Sequence, residues 1–337
     1  MNFYKNKNIL VTGGAGSIGS EIVKKILEYN PHLIRVLDVN ETGLFDLEQK
    51  LKSNKLRLLV CDIRDKDRLR RAVEGVDIIF HAGALKHVPL CEYNPIDAIG
   101  VNVMGTQNLI DVAIDEEVEK FVTISTDKAV NPINIMGTTK ALAEKLTILA
   151  NFYQGSRRVA FCCVRFGNVL YSRGSVIPLF TQQIKENCGL TVTDVNMTRF
   201  VMSMENAIDL ILKSAEISCG GEIFISKMNA FCLGDLVDVM IRKIAPTYCH
   251  KPDEIKITPI GKRAGEKMHE SLMTESESET AYECNSSFII YPSPSILHLI
   301  MDEVTIPEGF KKVKKGKYTS ETAKLLSKEE IGELIRD

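Results

Sequence analysis

The sequence predicts an α/β protein in which a parallel sheet, covered by helices on both faces, is followed by a smaller second lobe. Short, nearly continuous apolar runs alternate with amphipathic stretches through the first half. That is the pattern of strands buried on both faces and joined by helical crossovers. A glycine-rich turn separates the first apolar run from the first amphipathic stretch. After Gly167 the alternation loosens. The division expected is residues 1–168 mainly as the first domain and 169–337 mainly as the second lobe, with some segments returning to the first.

Residues 8–12 read as the first strand, and the turn GGAGSIG follows. Ile18, Ile22, Val23, Ile26 and Leu27 recur at helical spacing and put an apolar stripe on one side of a helix. Ile34 to Leu37 and Leu56 to Val60 read as the next strands, and the polar stretch Lys66 to Val73 as a helix before a strand at Val76 to Phe80. Residues 97–114 read as one longer helix, Phe121 to Ile124 as a buried strand, 136–152 as a helix and Val159 to Val164 as a strand. In the second half, helices are expected at Met204 to Leu212 and Leu233 to Ile244, with short strands near 222–226 and 255–260. The basic run Lys311 to Lys317 is expected to be solvated or a flexible link. Ser327 and Glu330 fit a capping box ahead of a last short helix.

Composition narrows the class. The 337 residues carry 42 basic and 44 acidic side chains, a formal charge of −2, and are 45% apolar. This supports a substantial core and rules out disorder as the dominant state. It gives no general attraction to nucleic acid or an anionic membrane, and neither is expected as a partner. The start of the chain lacks a secretory pattern, and no run of 18 apolar residues is present. Nine cysteines form no CxxC pair, so reduced, mostly buried thiols and a cytoplasmic location are expected. His81 and His87 stand six apart, without a compact ligand cluster, and no metal is expected.

Gly13, Gly16 and Gly19 leave room for a tight strand-to-helix turn and for a diphosphate against backbone N–H groups, with Ser17 and Ile18 opening the helix. Asp38 ends the next strand, 19 residues beyond Gly19. A carboxylate there accepts both adenosine-ribose hydroxyls and repels a 2′-phosphate, so NAD is favoured over NADP. A surface acid capping the following helix is the plain alternative. Asp62 and Ile63 follow another strand and are candidates for adenine contact, against a simple turn aspartate. Thr126, Asp127 and Lys128 sit just beyond a buried strand, where open α/β sheets place ligands. They offer a hydroxyl, an acid and a base; a helix cap followed by a solvated charge pair is the alternative.

The segments GGAGSIGSE at 13–21, HAGALKHVPLCEYNP at 81–95, STDKAVNPINIMGTTK at 125–140, RFGNVLYSRGSVIPLF at 165–180, TRF at 198–200 and GKRAGEKMHE at 261–270 carry a closer likeness. The chain resembles the extended short-chain dehydrogenase/reductase superfamily, specifically its UDP-N-acetylglucosamine 4,6-dehydratases. The likeness spans nearly the whole chain. It implies a Rossmann-type first domain, NAD as cofactor, a C-terminal lobe for the UDP-sugar and a homo-oligomer. One departure stands out: the superfamily's Tyr-xxx-Lys is Met136-Gly137-Thr138-Thr139-Lys140 here. A thioether is no acid or base, so Met136 shapes the pocket, and relatives with the same methionine are dehydratases.

The resemblance implies that Lys128 exchanges the C5 proton, Asp127 protonates the leaving C6 hydroxyl and Thr126 bonds the C4 oxygen. Lys128 must then become neutral and Asp127 protonated, shifts that burial and a nicotinamide cation would favour. Lys140 is assigned to the nicotinamide ribose, and Ala82 and Gly83 to the cofactor. Substrate contacts fall on Lys86, His87, Asn168, Ser175, Val176, Arg199, Arg263 and Glu266, while Asn102 is expected to brace the catalytic loop. Retention at C5 is favoured. The alternatives are inversion at C5, a UDP-sugar 4-epimerase and a non-enzymatic NAD-binding regulator.

Overall fold

The computed structural model describes residues 2–186, 189–263, 265–294, 296 and 306–335. β1 (Asn8–Thr12) leads through the glycine turn into α1 (Ser17–Leu27), followed by β2 (Leu33–Asp38), α2 (Glu41–Leu51), β3 (Leu56–Val60), α3 (Lys66–Val73) and β4 (Ile78–His81). Two short helices, α4 (Val88–Tyr93) and α5 (Pro95–Ile99), run into a π-helical turn at Gly100–Gly105 and then α6 (Thr106–Asp115). β5 (Lys120–Thr126), a 3-10 turn at Asp127–Ala129, α7 (Ile135–Tyr153) and β6 (Ala160–Phe166) complete this half. The helix expected over 97–114 is therefore three consecutive pieces. No range was assigned to α2 from sequence, because its apolar stripe is thin: only Leu44 and Leu47 are buried.

The second half is more broken. It contains β7 (Asn168–Val169), α8 (Val176–Lys185), β8 (Leu190–Val192), β9 (Thr198–Met202), α9 (Met204–Ile217), β10 (Ile223–Ser226), β11 (Asn229–Cys232) and α10 (Leu233–Ile244). Then follow β12 (Ile257–Pro259), β13 (Ser271–Met273), α11 (Glu275–Ser278), β14 (Ala281–Glu283), β15 (Ser287–Ile290), β16 (Lys311–Lys312), β17 (Tyr318–Thr319) and α12 (Lys328–Leu334). The capping box at Ser327 and Glu330 is formed in full. Lys311 to Lys317 is not a flexible link. Lys311 and Lys312 form an edge strand on β14, and Lys315 bonds Glu279 at 2.9 Å. Lysines on an edge strand remain solvated while blocking further pairing.

The main sheet has the order β3-β2-β1-β4-β5-β6-β10-β15-β14-β16. Its strands are parallel from β3 to β10 and antiparallel beyond. Along β1, Ile9 and Val11 join one apolar cluster and Leu10 another. This is the period-two alternation of a strand with both faces buried. A third cluster, built on α8, α10 and α12, is the core of the smaller lobe. Eight described cysteines are free, but only Cys61, Cys91, Cys162 and Cys163 are buried, so half rather than most are enclosed. No helix among the described residues is long and apolar enough to cross a membrane.

A buried ion cluster fastens late chain to early chain. Arg165 on β6 is 2% exposed and donates to both Glu144 oxygens at 3.0 and 2.7 Å, to Glu277 at 3.0 Å and to the Leu272 carbonyl at 2.9 Å. Removing one partner of a buried pair strands the other charge. Glu144→Ala is therefore expected to cost about 3 kcal/mol, read as a lower urea midpoint at unchanged slope.

Candidate active site

A cleft of about 1030 Å³ opens at the carboxyl ends of the parallel strands. The glycine turn forms one wall. Gly13 has φ +65°, and a Cβ there would lie 2.6 Å from the Gly83 nitrogen; a Cβ on Gly19 would meet the Gly13 carbonyl at 2.2 Å. Ser17 and Ile18 line the cleft at the start of α1, whose N-cap, Gly16, supplies no side-chain cap. The first N–H groups of α1 are thus available to an anion. Gly14 was not assigned a role from sequence, yet a Cβ there would strike Val36 at 2.2 Å.

Asp38 lines the same cleft. One of its oxygens accepts from Ala15 N and the other from Asn40 N, both at 3.0 Å. It is not the cap of α2, because Asn40 accepts from Gly43 N in that role. Asp62 is on the rim and paired with Arg64, whose guanidinium holds its carboxyl below the usual range. Ile63, Ala82 and Gly83 complete this side. The open helix start, the missing glycine side chains and the carboxylate at the end of β2 fit a dinucleotide.

The other wall is the end of β5. Thr126 Oγ1 donates to Asp127 Oδ1 at 2.9 Å, and Lys128 Nζ donates to the same oxygen at 2.9 Å. Asp127 has no exposed surface, and its second oxygen has no hydrogen-bond partner among the described residues. Glu270, just before β13, brings a further carboxylate to 4.0 Å from Lys128. Burial lowers the Lys128 pKa, but the carboxylates of Asp127 and Glu270 outweigh it and hold the ammonium above its ordinary value. The lowering expected from burial and a nicotinamide cation is thus outweighed by the two carboxylates in the protein itself. Lys140, buried one wall away, donates to the Ile124 carbonyl at 2.6 Å, and burial pushes it below its ordinary value.

Met136 is 3% exposed, packs with Cys91 and Ala98, and lines the cleft beside these groups. The next residue explains the local sequence. A Cβ on Gly137 would lie 2.3 Å from the Lys128 carbonyl, so α7 meets the Thr126–Lys128 turn only through glycine. Asn134 caps α7 by accepting from Gly137 N at 2.7 Å, and donates to the Gly265 carbonyl at 2.7 Å.

Lys86, His87, Asn168, Ser175 and Val176 all line the cleft. Lys86 donates to the Arg173 carbonyl at 2.6 Å, and Arg173 N donates to Ser17 Oγ at 3.0 Å. Arg173, which received no role from sequence, thereby joins the second half to the glycine turn. Asn102 accepts from Leu85 N and donates to Leu85 O and Thr139 Oγ1. It braces the 82–87 loop against α7, not the Thr126–Lys128 turn as expected. Arg199 and Glu266 line a smaller recess of about 80 Å³, which shares Lys128 with the cleft. Arg263 lines neither; it is exposed, and its N–H donates to Glu266 at 3.2 Å. Glu270 and Lys267 also line the recess and were missed as single residues, although the quoted GKRAGEKMHE segment contains both.

A doubly wound sheet with this turn, acidic β2 terminus and buried lysine on α7 defines an extended short-chain dehydrogenase/reductase. Residues 9–292 match the family described as polysaccharide biosynthesis protein. An uncharacterised membrane protein of Methanocaldococcus jannaschii is 54% identical, over 100% of this chain and 97% of its own. A UDP-N-acetylglucosamine 4,6-dehydratase (inverting) of Campylobacter jejuni is 39% identical over 98% of each chain. A UDP-glucose 4-epimerase of Rickettsia rickettsii is 38% identical over 98% and 96%. The X-ray structure of Pen from Bacillus thuringiensis superposes with a TM-score of 0.91 at 42% identity, covering 98% of each chain. The chain belongs to this polysaccharide biosynthesis family, a nucleotide-sugar-modifying branch of dehydratase and epimerase type.

Gly137→Ala is expected to cost about 1–3 kcal/mol through overpacking against the Lys128 carbonyl. Urea unfolding measures that cost, and a helical control, Gly332→Ala in α12, where a Cβ would have its first contact at 3.8 Å, is expected to lack this clash.

Proposed function

We propose that the chain is a UDP-N-acetylglucosamine 4,6-dehydratase using NAD. The observation that carries this reading is the pairing of Lys128 with a fully buried Asp127 at the end of β5. A 4-epimerase needs no proton exchange at C5 and no acid for C6, whereas elimination needs both a base and an acid. The glycine turn would hold the diphosphate of NAD, Asp38 its adenosine ribose and Lys140 its nicotinamide ribose. When bound there, NAD would supply a reversible hydride acceptor for the sugar, so that C4 can be oxidised and C6 reduced.

The chain's own groups carry the protons. Thr126 bonds the C4 oxygen and relays its proton to Asp127 through their 2.9 Å contact. Asp127 delivers that proton to the departing C6 oxygen, so the C6 hydroxyl leaves as water. In its neutral form Lys128 takes the C5 proton, made acidic by the C4 ketone; once hydride reaches C6, C5 takes a proton back from solvent and the lysine gives its own to solvent. Atoms balance: one water is lost, and the cofactor ends as it began.

Lys86, His87, Asn168, Ser175 and Val176 face the sugar and diphosphate, Met136 shapes the pocket, and Arg199 and Glu266 hold the uridine diphosphate; exposed Arg263, which lines neither cavity, is given no part in it. In this reading residues 1–168 mainly hold the cofactor and 169–337 mainly the UDP-sugar. Exposed Tyr93, Ile96, Met104 and Phe152 on the α4–α7 side support self-association.

On configuration, the Campylobacter jejuni relative is described as inverting. That favours inversion at C5 over the retention expected from sequence. Incubation with UDP-N-acetylglucosamine and NAD in D2O, followed by NMR, tests both points. A 4-keto sugar with a C6 methyl group and deuterium at C5 is expected, with early L-arabino geometry. D-xylo geometry would restore retention, and an unchanged C6 would reject dehydration.

Two variants sharpen the roles. Lys128→Ala is expected to spare UDP binding and reduce turnover at least 100-fold, on the scale of general acid–base catalysis; near-normal initial rates would refute the base assignment. Asp38→Ala is expected to weaken NAD binding and narrow the NAD/NADP preference in titrations, with sugar binding retained.

A further inference from the structure

Glu270 is a buried carboxylate that the roles above leave unused. It is 4% exposed, and its backbone is pinned on both sides by Ser320: Glu270 N donates to Ser320 Oγ, and Ser320 N donates to the Glu270 carbonyl, both at 2.9 Å. Its side chain is less well satisfied. Oε1 lies 4.0 Å from Lys128 Nζ and Oε2 lies 4.0 Å from Lys267 Nζ, beyond hydrogen-bond range, and Oε2 has no hydrogen-bond partner among the described residues. Lys267 is engaged elsewhere, donating to the Val130 carbonyl at 2.6 Å. Arg199 on β9 adds a positive charge, but its Nη1 donates to the Thr198 and Met268 carbonyls and its Nη2 to the Met197 sulfur. Asp127, on the β5 turn, is the other carboxylate acting on this group.

A buried carboxylate with an unpaired oxygen is costly to fold. Nothing in the packing of this recess requires one, since an amide of the same shape would fill the same space. What the carboxylate does supply is a second negative charge beside Lys128. We infer that Glu270 is a positioning residue for the proton exchange at C5, a charge brought from the second half of the chain that sets how readily Lys128 releases its proton. The inference rests on the reading of Lys128 as base.

The electrostatics agree with the geometry. Burial raises the Glu270 carboxyl, opposed by the Lys128 charge, while Glu270 and Asp127 together hold Lys128 up. If Glu270 takes a proton, one of the two charges holding Lys128 disappears and its neutral fraction rises. Asp127 reaches Lys128 from the same turn, whereas Glu270 reaches it only because the segment before β13 packs against the end of β5. Base readiness is thus tied to the seating of that later segment.

The test is competitive acetylation of the Lys128 amine across pH in the full chain, read by mass spectrometry. The reagent reports the neutral fraction and needs no substrate. In Glu270→Gln the labelling midpoint is expected to fall by about one pH unit, because removing an adjacent opposite charge favours the neutral amine. The pH dependence of C5 deuterium incorporation moves the same way. Glu270→Asp keeps the charge but draws it back, so its midpoint falls by less, and this variant gives the sign if the glutamine variant does not fold. A midpoint unmoved in the folded variants overturns the inference. A shifted midpoint in a protein that leaves UDP-N-acetylglucosamine unchanged upholds the charge coupling and rejects the dehydratase reading alone.

Discussion

Lys128 and Asp127 meet at 2.9 Å, and the rest of the site depends on that contact. Asp127 has no exposed surface, so its charge is tolerable there only beside a cation or with a proton attached. The surroundings leave it little freedom. Gly137 lets α7 press onto the Lys128 carbonyl, and a Cβ on Gly167 would lie 3.0 Å from the free Asp127 oxygen. Two glycines far apart in sequence therefore hold a carboxylate and an amine side by side. Such a pair suits a reaction that must remove one proton and deliver another within a single elimination.

The site is also a junction. Asn134 ties the start of α7 to Gly265, Arg173 ties the second half to the glycine turn, and Arg165 ties β6 to the 272–277 segment. Each contact uses a polar group satisfied across the boundary, so the two halves are held by directed bonds as well as by apolar packing. Lys128 lines both the large cleft and the smaller recess formed with later residues. The wall with the glycine turn comes from the first half, and the recess wall largely from the second.

The sequence made most of the first half legible because its signals are local. Buried parallel strands appear as apolar runs, and the glycine turn and Asp38 fall at fixed distances along the chain. α2 escaped because two buried leucines make a weak stripe, and α8 lay within a segment read mainly for its resemblance. The π-helical turn was invisible for another reason: Gly105 approaches Ile63 so closely that a Cβ would lie 2.6 Å away, a constraint that no periodicity records. Asn102 was recognised as a brace but assigned the wrong loop. Glu270 and Arg173 acquire meaning only when distant segments meet, and Arg263 turned out to face solvent. Local chemistry could be read along the chain; cross-chain electrostatics could not.

The central claim is that hydride leaves C4 and comes back to C6 of the same sugar while Asp127 and Lys128 manage the protons. Its most direct test uses UDP-N-acetylglucosamine deuterated at C4, turned over in ordinary water and followed by NMR and mass spectrometry. The account predicts a product that retains the deuterium, now in the C6 methyl group. Deuterium still at C4 in an epimerised sugar, or lost from the sugar altogether, would contradict it.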